Sequence, residues 1–197
     1  GAITLQPVTV TWPIVIGAPG LATDFALDVS EVAALGSTFS GITIGRSNGT
    51  GAVNISTITF NDPVTIQSPG ADGDITLNAS AVLTVAGTDS LTLTAGTGNT
   101  GTFTQTNGAT ISAGSGAVTI TADTVDLAGA AGSIAGTGAI TLQPATAARP
   151  IVIGAVGAAT DFALSTAEVA ALTNGFSGIT IGRSDGTGTA TISAITC

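Results

Sequence analysis

The sequence predicts an all-β chain wound as a parallel β-solenoid, and three observations carry the prediction. Residues 138–197 repeat residues 1–60 at a constant offset of 137, without a gap, and 42 of the 60 aligned positions are identical. A tripeptide of apolar, Thr-like and apolar residues recurs along the whole chain. Clusters of Gly, Asn, Asp and Pro separate these tripeptides. A long internal period marks solenoids and arrays. Apolar residues at i and i+2 around a polar one give a strand with one buried face.

The period divides the chain into one full solenoid repeat unit, residues 1–137, and the start of the next, residues 138–197. Within them the strand motif reads ITL at 3–5, IVI at 14–16, ITI at 42–44, ITF at 58–60, VTI at 64–66 and ITL at 75–77. It continues as LTV at 83–85, LTL at 91–93, VTI at 118–120, VDL at 125–127, ITL at 140–142 and ITI at 179–181. SPGADGD (68–74), AGTGNTG (95–101) and SAGSGA (112–117) read as turns. A two-sheet sandwich has similar spacing. Hairpin dipeptides are few, however, with Asp72-Gly73 and Asn107-Gly108 the candidates, and the pattern runs on with no closure signal. Three short strands with their turns predict a coil of ~20 residues, hence about seven coils per unit, rising roughly 33 Å at ~4.8 Å per strand spacing.

One stretch in each copy, Thr160–Leu172 (TDFALSTAEVAAL) in the second, departs from the strand pattern. In Ser165-Thr166-Ala167-Glu168 the serine is placed to cap a helix and the glutamate to reach back to it. Asp28-Val29-Ser30-Glu31 keeps that chemistry with Asp as the cap. The EVAAL that follows predicts a short helix outside the solenoid wall, with Val169 and Leu172 on one face. Glu31 and Glu168 are thus read as capping groups before they are read as catalytic carboxylates.

Composition narrows the function. The chain is 44% hydrophobic and only 8% charged, against about 25% charged in an ordinary domain. That is the reverse of a disordered chain. The net charge is −9, with three Arg and no Lys. Nucleic-acid binding, which needs cations against phosphate, is set aside, as is a polybasic membrane contact. No apolar run reaches the ~18 residues of a membrane-spanning helix, so no membrane insertion is expected. There is no signal peptide at residue 1, where GAITLQP opens a repeat, and the chain reads as a piece of a longer protein. Cys197 aligns with Phe60 at an apolar position and reads as a small core residue.

No catalytic, cofactor-binding or metal-ligating residue stands out. There is no His for acid–base work, and no nucleophile elbow, P-loop or dinucleotide fingerprint. Arg46 and Arg183, each following a GITI strand, are read as binding a loop carbonyl or an Asp; Asp24 and Asp161 are the other charged residues shared by the copies. Asp62, Asp72, Asp74, Asp89, Asp123 and Asp126 are scattered, and calcium bound in turns is their minor alternative reading, since EF-hand spacing is missing. Thr92-Leu93-Thr94, Thr102-Phe103-Thr104 and Thr119-Ile120-Thr121 form T-x-T triplets that would order water if stacked on one flat face.

GAITLQP, DFALSTAEVAAL and GFSGITIGRSDGTGTATI resemble repeats of very large secreted bacterial exoproteins of the filamentous-haemagglutinin-like type. The likeness is specific over 1–60 and 138–197 and general over 61–137. It implies an extracellular or cell-surface adhesin built on a right-handed parallel β-helix and often exported by two-partner secretion, and it supplies no catalytic residue. The expected role is a structural and adhesive segment of an extracellular β-solenoid stalk or filament, without a cofactor. Its expected partners are neighbouring repeats or copies of itself end to end, with surface carbohydrate or other cells as further partners. The alternatives are a carbohydrate-active β-helix, which an acidic cleft lined by Asp from adjacent coils would favour, and an ice- or surface-binding β-solenoid.

Overall fold

The structure, a computed structural model, describes residues 1–97, 100–173 and 175–195. It is a parallel β-helix. The first coil holds β1 (Ala2–Leu5), β2 (Ile14–Ile16), β3 (Phe25–Leu27) and helix α1 (Val29–Ala33). The next four each hold three strands: β4 (Gly41–Ile44), β5 (Val53–Ile55) and β6 (Ile58–Phe60); β7 (Val64–Gln67), β8 (Ile75–Leu77) and β9 (Val82–Val85); β10 (Leu91–Thr94), β11 (Thr102–Gln105) and β12 (Thr110–Ala113); β13 (Val118–Thr121), β14 (Thr124–Leu127) and β15 (Ile134–Ala135). The repeat then restarts with β16 (Ala139–Gln143), β17 (Ile151–Ile153), β18 (Phe162–Leu164) and α2 (Thr166–Ala170), followed by β19 (Gly178–Ile181) and β20 (Ala190–Ile192). Each element of residues 1–55 thus returns at an offset of 137, save that β16 runs one residue longer than β1.

Three sides build the wall. The first is an unbroken seven-stranded parallel sheet, β1-β4-β7-β10-β13-β16-β19. The second runs β14-β11-β8-β5-β2-β3, and the third β15-β12-β9-β6. Register on the first sheet gives the length of each coil. Ala2 pairs with Gly41, Ile42 with Val64, Val64 with Leu91, Leu91 with Val118 and Val118 with Ile140. One repeat unit therefore holds five coils, not the expected seven. The turns are longer than assumed, and the first coil also carries β3 and α1. Asn107-Gly108 is not a hairpin, because it joins β11 to β12 on different sides of the wall; Gly108 takes φ +75° and Asp72 φ +65°, the left-handed turn conformation.

Alternation explains the core. In β1, β4, β7, β10, β13, β16 and β19 the apolar residues on either side of a Thr point inward. They form two columns in direct register from coil to coil: Ile3, Ile42, Val64, Leu91, Val118, Ile140 and Ile179, and Leu5, Ile44, Ile66, Leu93, Ile120, Leu142 and Ile181. Phe60 of β6, Phe103 of β11 and Phe162 of β18 are the largest fully buried side chains. One polar residue interrupts a column. Gln105 sits between Leu77 and Leu127 and is buried, and its amide donates to Ala109 O at 2.8 Å and Ser133 Oγ at 3.0 Å. Corners stack as tightly as strands. The Gly96 amide donates to Gly73 O at 2.6 Å, and a Cβ on Gly96 would run into the carbonyl oxygen of Gly70.

Both helices lie on the outside; α2 packs against β14 and β18 and buries none of its own residues. Val32 of α1 is buried, and α1 packs on β6. Just past α2, Leu172 forms a parallel bridge with Ile134, so the third side continues from β15 through this residue. The caps are those the sequence predicts. The Asp28 and Ser165 side chains accept from the amides of Glu31 and Glu168, and those glutamates accept from the cap amides at 2.9 and 2.8 Å.

Candidate functional site

Two surfaces stand out: the outer face of the seven-stranded sheet and the boundary between the two repeat units. The sheet's outer face is built by the same alternation that builds the core. Thr4, Thr43, Thr65, Thr92, Thr119, Thr141 and Thr180 lie in direct register and form one ladder seven strands long. Adjacent rungs are ~4.8 Å apart. None of the seven strands contains a charged residue, although the chain carries −9 overall. A second outward column runs Gln67, Thr94, Thr121 and Gln143. Its amides are engaged within the protein, Gln67 donating to Gly45 O at 3.2 Å and Gln143 to Thr121 Oγ1 at 3.0 Å. Two of the three T-x-T triplets, at 92–94 and 119–121, therefore stack side by side on this face. The third, Thr102 to Thr104, lies in β11 on the second side. Threonine suits a half-buried pleated surface and pairs well across strands, which accounts for the residue type.

At the unit boundary the first sheet continues from β13 to β16, but the second side breaks. β17 pairs with β18 on one edge and β20 on the other, forming a separate three-stranded sheet. β18 folds back under β17 and packs against β14 with no ladder pairing between the two among the described residues. A cavity of about 480 Å³ opens along this break, lined by Asp126, Leu127, Ala158, Asp161, Ala163 and Glu168 among others. An acidic cleft between coils is therefore present, but two of its carboxylates are already engaged by backbone. Asp161 accepts from Ala158 N at 2.8 Å, and Glu168 accepts from Ser165 N at 2.8 Å and Leu127 N at 3.3 Å. Burial, then the nearby Glu168 charge, raises the Asp126 pKa above the ordinary carboxylate range.

Beside the cavity a buried polar cluster ties the units together. Asp123 is fully buried and accepts from Thr146 N at 2.7 Å and Thr146 Oγ1 at 2.6 Å. Arg149, also buried, stands 4.0 Å from the Asp123 carboxylate. It donates to Thr124 Oγ1 at 3.3 Å, Ala159 O at 3.0 Å and Asp161 O at 3.3 Å. Sequence reasoning singled out neither this pair nor Thr146. The signal was the exchange of Trp12 for Arg149 between otherwise close copies.

Arg46, Arg183, Asp24 and Asp74 bond backbone or a neighbouring side chain within their own coil or the adjacent one. Arg46 donates to Asn48 Oδ1 at 3.1 Å and to the carbonyls of Pro7 and Val8 at 3.3 and 3.4 Å. Arg183 does the same with Ala145 O at 3.0 Å and pairs with Asp185 at 2.8 Å. Hydrogen bonding from Arg183 holds the Asp185 carboxyl below its ordinary range. Asp24 accepts from Leu21 N at 2.8 Å and Asp74 from Thr102 N at 2.9 Å. Cys197 lies outside the described residues. The chain matches no family model, no curated protein and no solved structure.

Proposed function

We propose that this chain is a structural and adhesive segment of an extracellular β-solenoid stalk or filament of bacterial origin, stacked on neighbouring repeats or on copies of itself and without enzymatic activity. The observation that carries the reading is that the opening of a five-coil unit returns, element for element over residues 1–55, on a sheet that crosses the unit boundary without a break. Each coil buries its apolar face against its neighbours, so length is added by repetition. Five coils correspond to about 24 Å of axial rise per unit. The test is to lengthen the chain by whole repeat units and measure the particle by small-angle X-ray scattering. A rod that lengthens by that rise with each added unit, at constant cross-section, is expected; growth in all dimensions would overturn the reading. The likeness to filamentous-haemagglutinin-like repeats over 1–60 and 138–197 supports the same role, with surface carbohydrate or other cells as the far-end partner.

The threonine ladder favours a second reading, in which the uncharged, regularly spaced face binds ice or another ordered surface. Thermal hysteresis or adsorption to a growing ice face, lost in Thr92→Lys, would support it. Growth identical to buffer with the wild-type chain would refute it.

A further inference from the structure

The same repeated segment occurs twice in this molecule, once with its lower face covered by the preceding coil and once with that face open. At 138–197 the cover is the coil of β13, β14 and β15. Two contacts define it, Thr146 and Arg149 on buried Asp123 and Glu168 on the Leu127 amide, while the loop at 155–159 faces β14 across the cavity. In the first copy Thr9 and Glu31 keep two of these groups, but Trp12 replaces Arg149 and Leu21 replaces Ala158. Trp12 is 39% and Leu21 76% exposed, with Val8 beside them at 85%. The two faces share one backbone and differ in chemistry: one presents a cation to a buried carboxylate, the other a bulky apolar patch.

We infer that the face of Trp12, Leu21 and β3 docks a β-solenoid coil of the β13–β15 type that is uncharged at the place of Asp123, so that residues 12 (or 149) and 123 decide which unit ends match. The inference rests on the end-to-end stacking proposed above and adds a rule of partner choice to it. The occupant follows from the covered copy, which shows what this backbone edge packs against. Its chemistry follows from charge. A carboxylate buried against Trp12 would lose its guanidinium partner, and removing one member of a buried pair strongly disfavours the contact. An uncharged rim carries no such penalty and lets the indole and Leu21 bury apolar surface.

The test places a further copy of residues 61–137 directly ahead of residue 1, reproducing the internal junction in one chain. Three versions are compared: the added copy unchanged, the added copy with Asp123→Asn, and the unchanged copy combined with Trp12→Arg. Hydrogen exchange at 25–27 reads docking in all three, and exchange at 162–164, across the natural junction, must stay constant. Trp12, the only tryptophan, adds a fluorescence reading to the first two. The Asn version is expected to protect 25–27, shift Trp12 emission to the blue and suppress its quenching. The unchanged copy is expected to dock at least tenfold less, the ratio for about 1.4 kcal/mol, and Trp12→Arg to restore protection. Equal docking by the Asp and Asn versions would overturn the pairing rule while leaving stacking intact. Docking by none of the three, Trp12→Arg included, would overturn end-to-end stacking itself.

Discussion

Leu93→Ala tests whether the stacked core behaves as a chain of neighbours. Leu93 has no exposed surface and lies between Ile66 below and Ile120 above. The substitution removes three carbons, worth about 2.4 kcal/mol at about 0.8 kcal/mol per buried CH₂. Strands held on both edges by backbone ladders cannot close in on the space, and the cavity term raises the cost to about 3–4 kcal/mol. The control is Ile192→Ala on β20, where the side chain is 68% exposed; its cost is expected at about 0.5 kcal/mol or less. Denaturant unfolding followed by circular dichroism measures both, with Trp12 fluorescence reporting separately on the first coil. Because the substitution weakens a middle coil, the two probes are expected to separate and the slope of the transition to fall as halves unfold apart. A cost for Leu93→Ala below about 1.5 kcal/mol, or equal to that of Ile192→Ala, would refute the reasoning.

The remaining outcomes follow from local chemistry. Ser165→Ala removes the acceptor for the Glu168 amide and is expected to cost about 1 kcal/mol, recovered by Ser165→Asp, which copies the cap at Asp28. Asp126 has a raised folded-state pKa, so its charge opposes folding above that value and the opposition fades once both states are protonated. Asp126→Asn is therefore expected to raise the unfolding midpoint at pH 7 and to have no effect below about pH 3; a gain that grows on acidification would show the sign to be wrong. Gly96→Ala forces a methyl group against the Gly70 carbonyl and is expected to cost about 1–3 kcal/mol. Gly41→Ala, whose nearest neighbour is 4.0 Å away, is expected to change stability by less than about 0.5 kcal/mol.

The β-helix was legible because its determinants are local and repeated. ITL, VTI and LTL each state which face is buried, and the offset of 137 states that the pattern is periodic. The caps at Asp28 and Ser165 were legible for the same reason, since a capping box spans only four residues. The coil count was not, because the length of a coil is set by turns whose backbone path no short motif fixes. Within one unit the step from Val64 to Leu91 is longer than the step from Ile42 to Val64, yet each is one coil. The strand that folds back was hidden: FAL at 162–164 lies in the stretch read as departing from the strand pattern, yet it forms β18, and only pairing shows that β18 lies beneath β17. The pairing of Asp123 with Arg149 was not legible because the two are distant in sequence and meet only across a coil boundary. The threonine triplets were seen as triplets, whereas the longer-range feature is the single column that joins seven strands.

The unit boundary brings these features together. Hydrogen bonds cross it on the first side through β13 and β16 and on the third through Ile134 N to Ala171 O at 2.9 Å and Thr173 N to Ile134 O at 3.1 Å. On the second side β14 and β18 share no ladder among the described residues, and the Asp123 cluster and the Glu168 contact to Leu127 take its place. Ladder bonds between backbones carry no information about which coil is stacked on which, because every coil presents the same groups. Side-chain contacts do carry it. A solenoid built only of continuous ladders would let any coil follow any other, and a slip by one coil would keep most of its apolar columns filled. By interrupting one side once per unit and filling the gap with a buried ion pair and a cap, this sequence makes the junction a place where a wrong neighbour leaves a carboxylate without its cation. The helix motif DFALSTAEVAAL therefore marks, along the chain, where register is set.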